Sequence, residues 1–405
     1  MMKISSIFIN NSEDYVTIPA IRKFIDENPE LNIKYLDKKD ELWEALKTFG
    51  EKSKENENKV LDWLDSVCRE GIKDIYLSCQ SLSDFSSLQI SDDEKINMFL
   101  KKSIHKDFEP HICSNIYEKD FILINAFSEE STLGKRLVFM YCKRLTVYDK
   151  KEMRRKDVDF PVIAEYYIEN SWLLIKVKPR SNIYQYTGKD FNIDTAISTT
   201  IEKQVKEVQE KVSDLLNFSH DDYSKEEILK NRLFELLKLY TNTPEEIQAV
   251  LDNQEEMIEE MSQQIKDLCN LNDSQKGDVH DDIQNIVEKY LSIIWKDKEI
   301  FIKDREAYPI KLNATDDEAS RVEQVAGFAQ PLQTKAVFFD NKKMLYKSKK
   351  CDNIELKWKR KNRKYFSESF LVNISVNSRG VCILKFREYV VQEDIENVLS
   401  KIITV

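Results

Sequence analysis

The chain has 405 residues, of which 33% are charged and 41% are hydrophobic, and its formal net charge at pH 7 is −10. This length indicates about two to four compact units, and the hydrophobic content excludes a chain that is disordered throughout. No apolar run reaches the roughly 18 residues that a membrane-spanning helix needs, so we expect a protein of the cytoplasm.

Glycine is scarce, and this excludes several large classes of enzyme. The 7 glycines are isolated from one another, whereas Walker A loops and dinucleotide fingerprints need closely spaced glycines so that the backbone can approach a phosphate. The GxSxG nucleophile elbow is also absent. P-loop NTPases, typical Rossmann dehydrogenases and α/β-hydrolases are therefore excluded, and we expect no cofactor. The 7 cysteines lack a CxxC pair and are expected to be reduced thiols.

Residues 1–130 are predicted to form a small N-terminal α/β unit. Its predicted strands are 4–9, 33–36 and 75–77, and its predicted helices are 18–25, 41–49 and 60–70. This alternation favours a parallel sheet. The serine-rich segment 80–94 is predicted to be a loop, and the apolar segment 121–127 a further strand.

Residues 131–190 are predicted to form a central antiparallel sheet. A long strand is predicted at 137–147, and the strongest hairpin signal of the chain lies at 161–180. Its two β-rich runs are separated by Glu169-Asn170-Ser171, a composition typical of a tight turn.

The second strand of this hairpin has two different faces. Side chains alternate along a strand, so Leu173, Ile175 and Val177 share one face and are predicted to point to the core. The opposite face would present a row of cations to solvent, formed by Lys176, Lys178 and Arg180.

Residues 191–300 are predicted to be an acidic helical region. Apolar residues recur at heptad-like spacing in two stretches, 197–215 and 247–268. An antiparallel helical bundle within the chain and a coiled-coil hairpin that dimerises both agree with this spacing. The segment 224–251 resembles a helix-turn-helix in pattern, but its second helix is rich in Glu and Asp. Phosphates would repel that helix, so we reject it as a reader of DNA.

Residues 301–405 are predicted to form a C-terminal β-rich domain. The expected meander is closed by an amphipathic helix at 393–402. Its predicted strands are 336–339, 344–346, 354–358, 370–376 and 381–386.

Charge is segregated along the chain. Residues 335–368 contain twelve Lys and Arg against four Asp and Glu, a net of +8, and residues 135–180 contain twelve against six, a net of +6. Residues 241–320 contain eight against twenty, a net of −12. Two basic, strand-rich segments therefore flank a strongly acidic helical one.

Cations beside aromatic side chains are what an irregular or single-stranded nucleic acid requires, because cations neutralise phosphates and aromatic rings stack on bases. The alternative is that the basic segments are solvated or pair with the chain's own acidic helices. The candidate nucleic-acid-binding residues are Lys176, Lys178, Arg180, Lys357, Trp358, Lys359, Arg360, Arg363, Lys364 and Tyr365.

Two weaker constellations could hold a metal. Asp340, Glu355 and Lys357 have the spacing of a PD-(D/E)xK-type nuclease, in which two carboxylates hold Mg²⁺ and the lysine acts on water. A turn and an exposed strand face explain the same residues more simply. His105, His111 and Cys113 could supply three zinc ligands, but a fourth is not in view.

The sequence thus predicts an α+β fold with a small N-terminal α/β unit, a central antiparallel β-sheet, an acidic helical bundle or coiled-coil hairpin, and a C-terminal β-meander with a closing helix. The leading hypothesis is a non-enzymatic nucleic-acid-binding accessory protein that engages phosphates through 135–180 and 335–368. Its Lys, Ile and Asn richness suggests an AT-rich bacterial genome, and phage defence would suit such a protein. The alternatives are a regulatory or interaction subunit that self-associates through its acidic helices, and the metal-dependent nuclease.

Overall fold

A computed structural model describes residues 2–31, 39–90, 92–149, 153–188, 191–219, 225–315 and 321–404. The chain combines helices with an antiparallel sheet, and the predicted α+β class is confirmed. In the part of the chain that is described, no helix is both long enough and apolar enough to cross a membrane.

The chain separates into two compact units. Unit 1 comprises Met1–Tyr223, Arg360–Glu368 and Cys382–Ile403, and unit 2 comprises Ser224–Lys359, Ser369–Val381 and Thr404–Val405. The sequence region 301–405 contributes to both units, and the division into four regions stays a prediction.

The helices follow one another in chain order along the described residues. They are α1 (Ser6–Asn10), α2 (Ile18–Glu27), α3 (Lys39–Gly50), α4 (Lys54–Arg69), α5 (Asp84–Gln89), α6 (Asp93–Ser103), α7 (Ile201–Leu216), α8 (Lys225–Tyr240), α9 (Glu245–Asn253), α10 (Glu255–Cys269), α11 (Asp273–Ile294), α12 (Ala336–Ser348) and α13 (Gln392–Thr404). The strands are β1 (Asp74–Cys79), β2 (Ile122–Ser131), β3 (Gly134–Asp149), β4 (Arg154–Tyr167), β5 (Trp172–Val177), β6 (Ile183–Gln185), β7 (Ser198–Thr199), β8 (Ala307–Thr315), β9 (Arg321–Val325), β10 (Asn353–Lys359), β11 (Ser369–Val376) and β12 (Cys382–Phe386).

The strands of unit 1 pair in the order β7-β6-β3-β4-β5-β1-β12, and β2 pairs with β3. The hairpin predicted at 161–180 is confirmed, because β4 and β5 are joined by a turn in which Ser171 has a left-handed φ of 56°. Strand β1 pairs antiparallel with both β5 and β12. The parallel sheet predicted for the N-terminal region is therefore wrong: the predicted strand at 75–77 exists but belongs to an antiparallel sheet.

The strands of unit 2 pair in the order β11-β10-β8-β9, also antiparallel. Strand β10 alternates strictly between buried and half-buried residues, which is typical of a strand with one face on a core. Helix α8 packs on this sheet, and the ring of Tyr240 meets the ring of Trp358 edge-on at 5.6 Å. Strands β8 and β9 were not predicted.

Both faces of the unit 1 sheet are covered. Helix α7 packs on β4 and β5, while the core of α1 to α4 contacts the opposite face through residues such as Val138 and Ile163. A strand between two covered faces has no solvent side, and every residue of β5 is buried. Helix α7 is thus a sheet-covering helix, whereas α9, α10 and α11 share a separate apolar cluster in unit 2.

Several predicted elements have a different local structure. The predicted strand at 4–9 is largely helix α1, and the predicted strands at 336–339 and 344–346 are one helix, α12. Short apolar runs suit a helix or a strand equally well. In α12 the run Asp340 to Lys343, which suggested a turn, is a polar stretch of the helix between buried Phe339 and Leu345.

The segment 80–94 was predicted to be a loop but contains α5 and the first residues of α6. The Ser83 and Asp92 side chains accept hydrogen bonds from the backbone amides of Ser86 and Lys95, so these polar residues cap helices. The heptad stretch 247–268 is interrupted at Gln254, where α9 ends and α10 begins. The predicted strand at 33–36 lies outside the described residues.

Candidate nucleic-acid interface

Lys176 was predicted to be exposed but is fully buried. Its Nζ lies 2.6 Å from a carboxylate oxygen of Glu165 on β4, and both side chains have 0% exposure. The register of the two strands places Lys176 opposite Ile163, on the sheet face that the N-terminal helices cover. The predicted row of cations in solvent is therefore wrong at this position.

Lys176 belongs to a buried network of alternating charges. Arg136 lies 3.3 Å from Glu165 and 2.8 Å from Glu396 on α13, and Arg69 on α4 lies 3.4 Å from Glu165. Burial alone would raise the pKa of Glu165, but Lys176, Arg69 and Arg136 together hold this pKa below its ordinary value. The network joins α4 and α13 to the sheet by paired charges.

The other cations of 135–180 are also largely matched within unit 1. Lys143 pairs with Glu207 at 2.6 Å, and Arg144 pairs with Asp159 at 2.9 Å with both side chains almost fully buried. Further pairs join Arg155 to Asp157 and Lys156 to Glu13. Asp157 and Asp159 belong to this segment, whereas Glu207 and Glu13 come from elsewhere in the chain and offset part of its positive excess.

Lys178 and Arg180 form part of a cationic cluster at the end of β5. The Lys178 ammonium lies 5.5 Å from the ring centroid of Tyr15, and the Lys73 ammonium lies 5.4 Å from the same centroid. Arg180 pairs with the carboxylate of Asp14, and Lys178 donates to the carbonyl oxygen of Asp14. We name Tyr15, Lys73, Lys178 and Arg180 the Tyr15 cluster.

The candidate residues of β10 divide between two environments. Trp358 is 2% exposed and belongs to the core of unit 2, so in this conformation its ring cannot stack on a base. Lys357 and Lys359 alternate with it and are half-buried on the other face of the strand. The Nζ of Lys359 donates to the carbonyl oxygens of Ile302 and Lys303.

The three nuclease candidates are not gathered into one site. Asp340 lies in α12 and pairs with Lys289 of α11. Glu355 and Lys357 lie on β10, on the face opposite Trp358 and therefore opposite α8. Among the described residues, no hydrogen bond or ion pair joins Asp340 to Glu355 or Lys357, and no group of three or more His, Cys, Asp or Glu side chains could hold a metal ion.

The zinc candidates likewise have other surroundings. His111 lies 2.8 Å from the carboxylate of Asp65, and Cys113 is buried. His105 is about half exposed and stacks edge-on against Phe108. These residues are accounted for by ordinary packing.

The lysines of α12 pair with acids of α11 within unit 2. Lys342 lies 2.5 Å from buried Glu288, and Lys343 lies 2.8 Å from Asp282. The hydroxyl of Thr243 donates a further hydrogen bond to Glu288 at 2.8 Å. In this part of 335–368, basic residues therefore pair with the chain's own acidic helices, as the alternative to nucleic-acid binding predicted.

The remaining candidates lie in residues 360–368 of unit 1, which we name the basic loop. Arg360 anchors it: the guanidinium is 1% exposed, pairs with Asp394 of α13 and donates to the carbonyl of Tyr389. Phe366 stacks on the ring of Tyr389, with centroids 5.3 Å apart and planes 9° apart. Arg360 is therefore a structural residue and not a contact residue.

The basic loop presents its other cations to solvent. The side chains of Arg363 and Lys364 are 56% and 65% exposed, and Lys361 is exposed as well. Lys364 and the hydroxyl of Tyr365 both bond the Asp26 carboxylate of α2, at 2.8 and 2.7 Å, and these hydrogen bonds lower the pKa of Asp26. An anchored loop thus carries exposed cations beside a partly exposed aromatic ring.

Sequence reasoning missed Lys73, Tyr15 and the pair of Asp65 with His111. No local motif marks these residues, since each pair joins distant segments of the chain. The one available signal is that Lys73 directly precedes an apolar strand, β1.

Comparison of the chain with protein-family models, curated proteins and solved structures found no match. Its function is therefore inferred from its own residues.

Proposed function

We propose that the protein binds nucleic acid and that the basic loop is its main contact surface. The observation that carries this proposal is that Lys361, Arg363 and Lys364 are exposed, although Lys364 also pairs with Asp26, whereas the candidate cations outside this group are buried or half-buried. At the surface the three cations stand against Glu368 and Asp26, which leaves three minus two, or a net of +1, because Arg360 is neutralised by Asp394. Phosphates are attracted to such a group even when the protein as a whole is acidic.

The anchoring of the loop also supports this proposal. Arg360 and Phe366 fix the backbone from within, so little conformational freedom is lost when a ligand binds. Tyr365 lies beside Lys364, whose ammonium is 4.8 Å from its ring centroid. A ring next to cations suits a single strand, in which a base is free to stack.

The test is fluorescence anisotropy with a labelled single strand and the matching duplex, over a range of salt concentrations. Changing Lys361, Arg363 and Lys364 to Gln should weaken binding and reduce the slope of log affinity against log salt by up to about 3, roughly one for each phosphate contact. The matched control changes the exposed Lys101, Lys102 and Lys106 to Gln, which removes the same charge elsewhere. Equal loss in both variants, or loss in neither, would contradict the proposal.

Self-association through α10 is a second proposal, and one observation favours it. The heptad residues Ile247, Leu251 and Ile258 are buried in unit 2, but Met261 and Leu268 are 45% and 84% exposed. The second half of the predicted stripe is thus uncovered. A second copy of the chain could cover it, as the heptad interpretation predicts.

The two proposals predict opposite effects of salt concentration on binding. Acidic side chains flank the stripe, so repulsion between copies should be screened by salt and association should strengthen, whereas phosphate binding weakens with salt. Sedimentation equilibrium at tens of micromolar would show the dimer, and Leu268→Glu should remove it. A strict monomer at high salt would exclude self-association without affecting the nucleic-acid proposal.

A further inference from the structure

The Tyr15 cluster is assembled by strand register. Asp74 at the start of β1 pairs with Val177 at the end of β5, so Lys73 and Lys178 lie side by side just beyond the paired residues. Both ammonium groups lie about equally far from the ring of Tyr15, at 5.4 and 5.5 Å from its centroid. Arg180 lies two residues beyond Lys178 and reaches the same turn of the chain through Asp14.

The cluster holds more positive than negative charge. Its cations are Lys73, Lys178 and Arg180, and Asp14 is the carboxylate that pairs with it, which leaves three minus one, or a net of +2, when Lys73 is protonated. Among the described residues, no carboxylate pairs with Lys73, whose Nζ donates to the carbonyl of Cys68 at 2.6 Å. An ammonium that is 1% exposed is ordinarily matched by an anion.

Two polar atoms of the cluster have no hydrogen-bond partner among the residues that the structure describes. The hydroxyl of Tyr15, which is 4% exposed, lies near the Arg180 guanidinium but makes no hydrogen bond of ordinary geometry, and the Nε of Arg180 is also buried without a partner. Buried donors of this kind are rare unless a ligand or water completes them. Lys178, Arg180 and Asp14 are only partly buried, so the cluster is open to solvent on their side.

We infer that the Tyr15 cluster is a binding site for a phosphate dianion, either inorganic phosphate or a terminal phosphate monoester. Arg180 and Lys178 would bind its oxygens, the Tyr15 hydroxyl would donate a third hydrogen bond, and Lys73 would supply charge from beneath. Arginine and lysine are the usual partners of phosphate oxygens. The site is separate from the basic loop and does not depend on the proposal for that loop.

Binding should be accompanied by proton uptake. Burial is the largest influence and lowers the pKa of Lys73 to about 7; Cys68 opposes it, and Lys178, Lys176 and Arg180 each make a smaller contribution that lowers the pKa further. A bound dianion raises this pKa, so a neutral Lys73 takes up a proton when the dianion binds. Tyr15 from the N-terminal segment also faces Lys73, and the neighbouring Asp14 contacts Lys178 and Arg180.

The experiment is isothermal titration calorimetry of the full chain with inorganic phosphate at about pH 8 and low salt, in two cationic buffers of different ionisation enthalpy. We expect saturable binding with net proton uptake, because the free phosphate is then already mainly the dianion while Lys73 is mainly neutral. Arg180→Gln should weaken binding about 10- to 100-fold, the loss expected for one charge-assisted contact. Lys73→Met should remove the proton uptake and also weaken binding.

The controls test whether phosphate binds at the Tyr15 cluster or at exposed lysines elsewhere on the chain. Lys101→Met changes an exposed lysine of α6 and should leave both affinity and proton uptake unchanged. If the natural ligand is a phosphate monoester, a short oligonucleotide with a 5′-phosphate should bind with proton uptake. The same oligonucleotide without that phosphate should show no proton uptake, even if it binds at the basic loop. Absence of saturable phosphate binding to the wild-type chain, or binding that is unchanged in Lys73→Met and Arg180→Gln, overturns the inference.

Discussion

The ammonium of Lys176 on β5 lies 2.6 Å from the carboxylate of Glu165 on β4, and neither side chain is exposed. Arg69 and Arg136 approach the same carboxylate from α4 and β3. Charges taken out of water are costly unless they are paired and hydrogen-bonded. Lys176 was predicted to lie in a row that faces solvent. In the fold it belongs instead to a buried network that links strands and helices.

Breaking this pair should destabilise the fold. Lys176→Met leaves the buried Glu165 with fewer partners, and we expect the free energy of unfolding to fall by about 3 kcal/mol or more. The double change Lys176→Met with Glu165→Met should cost less than the sum of the single changes, because neither charge is then left alone. Lys156→Met, which breaks the exposed pair with Glu13, serves as control and should cost less than about 1 kcal/mol. Denaturant unfolding gives the free energies of unfolding of Lys176→Met, Glu165→Met, the double variant and Lys156→Met. If Lys176→Met costs as little as Lys156→Met, the expectation is contradicted.

Lys73 should make the free energy of unfolding depend on pH between about 7 and about 10. Its pKa in the folded chain is about 7, whereas an unfolded chain holds this proton up to about pH 10. Between these values the unfolded state binds more protons, so the free energy of unfolding rises with pH, by at most about 1.4 kcal/mol per pH unit for this group. Lys73→Met should lower the slope of unfolding free energy against pH. An unchanged slope would show that Lys73 keeps its proton in the fold.

His111 should titrate above its ordinary range. Burial alone would lower its pKa, but the hydrogen bond and charge of Asp65 raise it. A raised histidine pKa gives stability that is complete below about pH 6.5 and is lost as the pH rises through the folded value. NMR titration of the imidazole should show a lower pKa in Asp65→Asn than in the wild type. If the imidazole has the same pKa in both proteins, Asp65 does not raise the pKa of His111.

Cys269 should be the most reactive cysteine in the native chain. It is the exposed one at the end of α10, Cys79 is intermediate, and the other five described cysteines are buried. Burial raises the pKa of thiols such as Cys113 and Cys351, which disfavours the reactive thiolate. A thiol reagent should label about one cysteine quickly, and Cys269→Ser should remove this fast phase. Rapid labelling of several thiols in the native protein would contradict the assigned burial.

Local pattern was sufficient where one periodicity dominated. Most of helix α4 was predicted, at 60–70, from its apolar spacing, and the β4–β5 hairpin was predicted because turn residues separate two β-rich runs. The segment that became α12 failed because its apolar runs are too short to distinguish the two periods. Its helical state depends on packing, in which Phe338 and Leu345 are buried.

The candidate site was only partly predictable for a different reason. The exposed cations Arg363 and Lys364 were identified from composition alone, and their exposure follows from a loop in which charge is dense. Trp358 and Arg360 lie in the same basic run but are buried, and the sequence gives no sign of this. Whether a residue of such a run faces solvent depends on the elements that cover it.

The sequence by itself determined the α+β class, the segregation of charge and the absence of glycine-rich phosphate loops, because these depend on local composition and spacing. The tertiary structure decided which charges remain available. Arg136 meets Glu396 from 260 residues away, and Lys73 meets Tyr15 across two segments of unit 1. Such pairs depend on how the chain is folded back on itself, and a buried charge is stable only beside a partner that the fold brings to it.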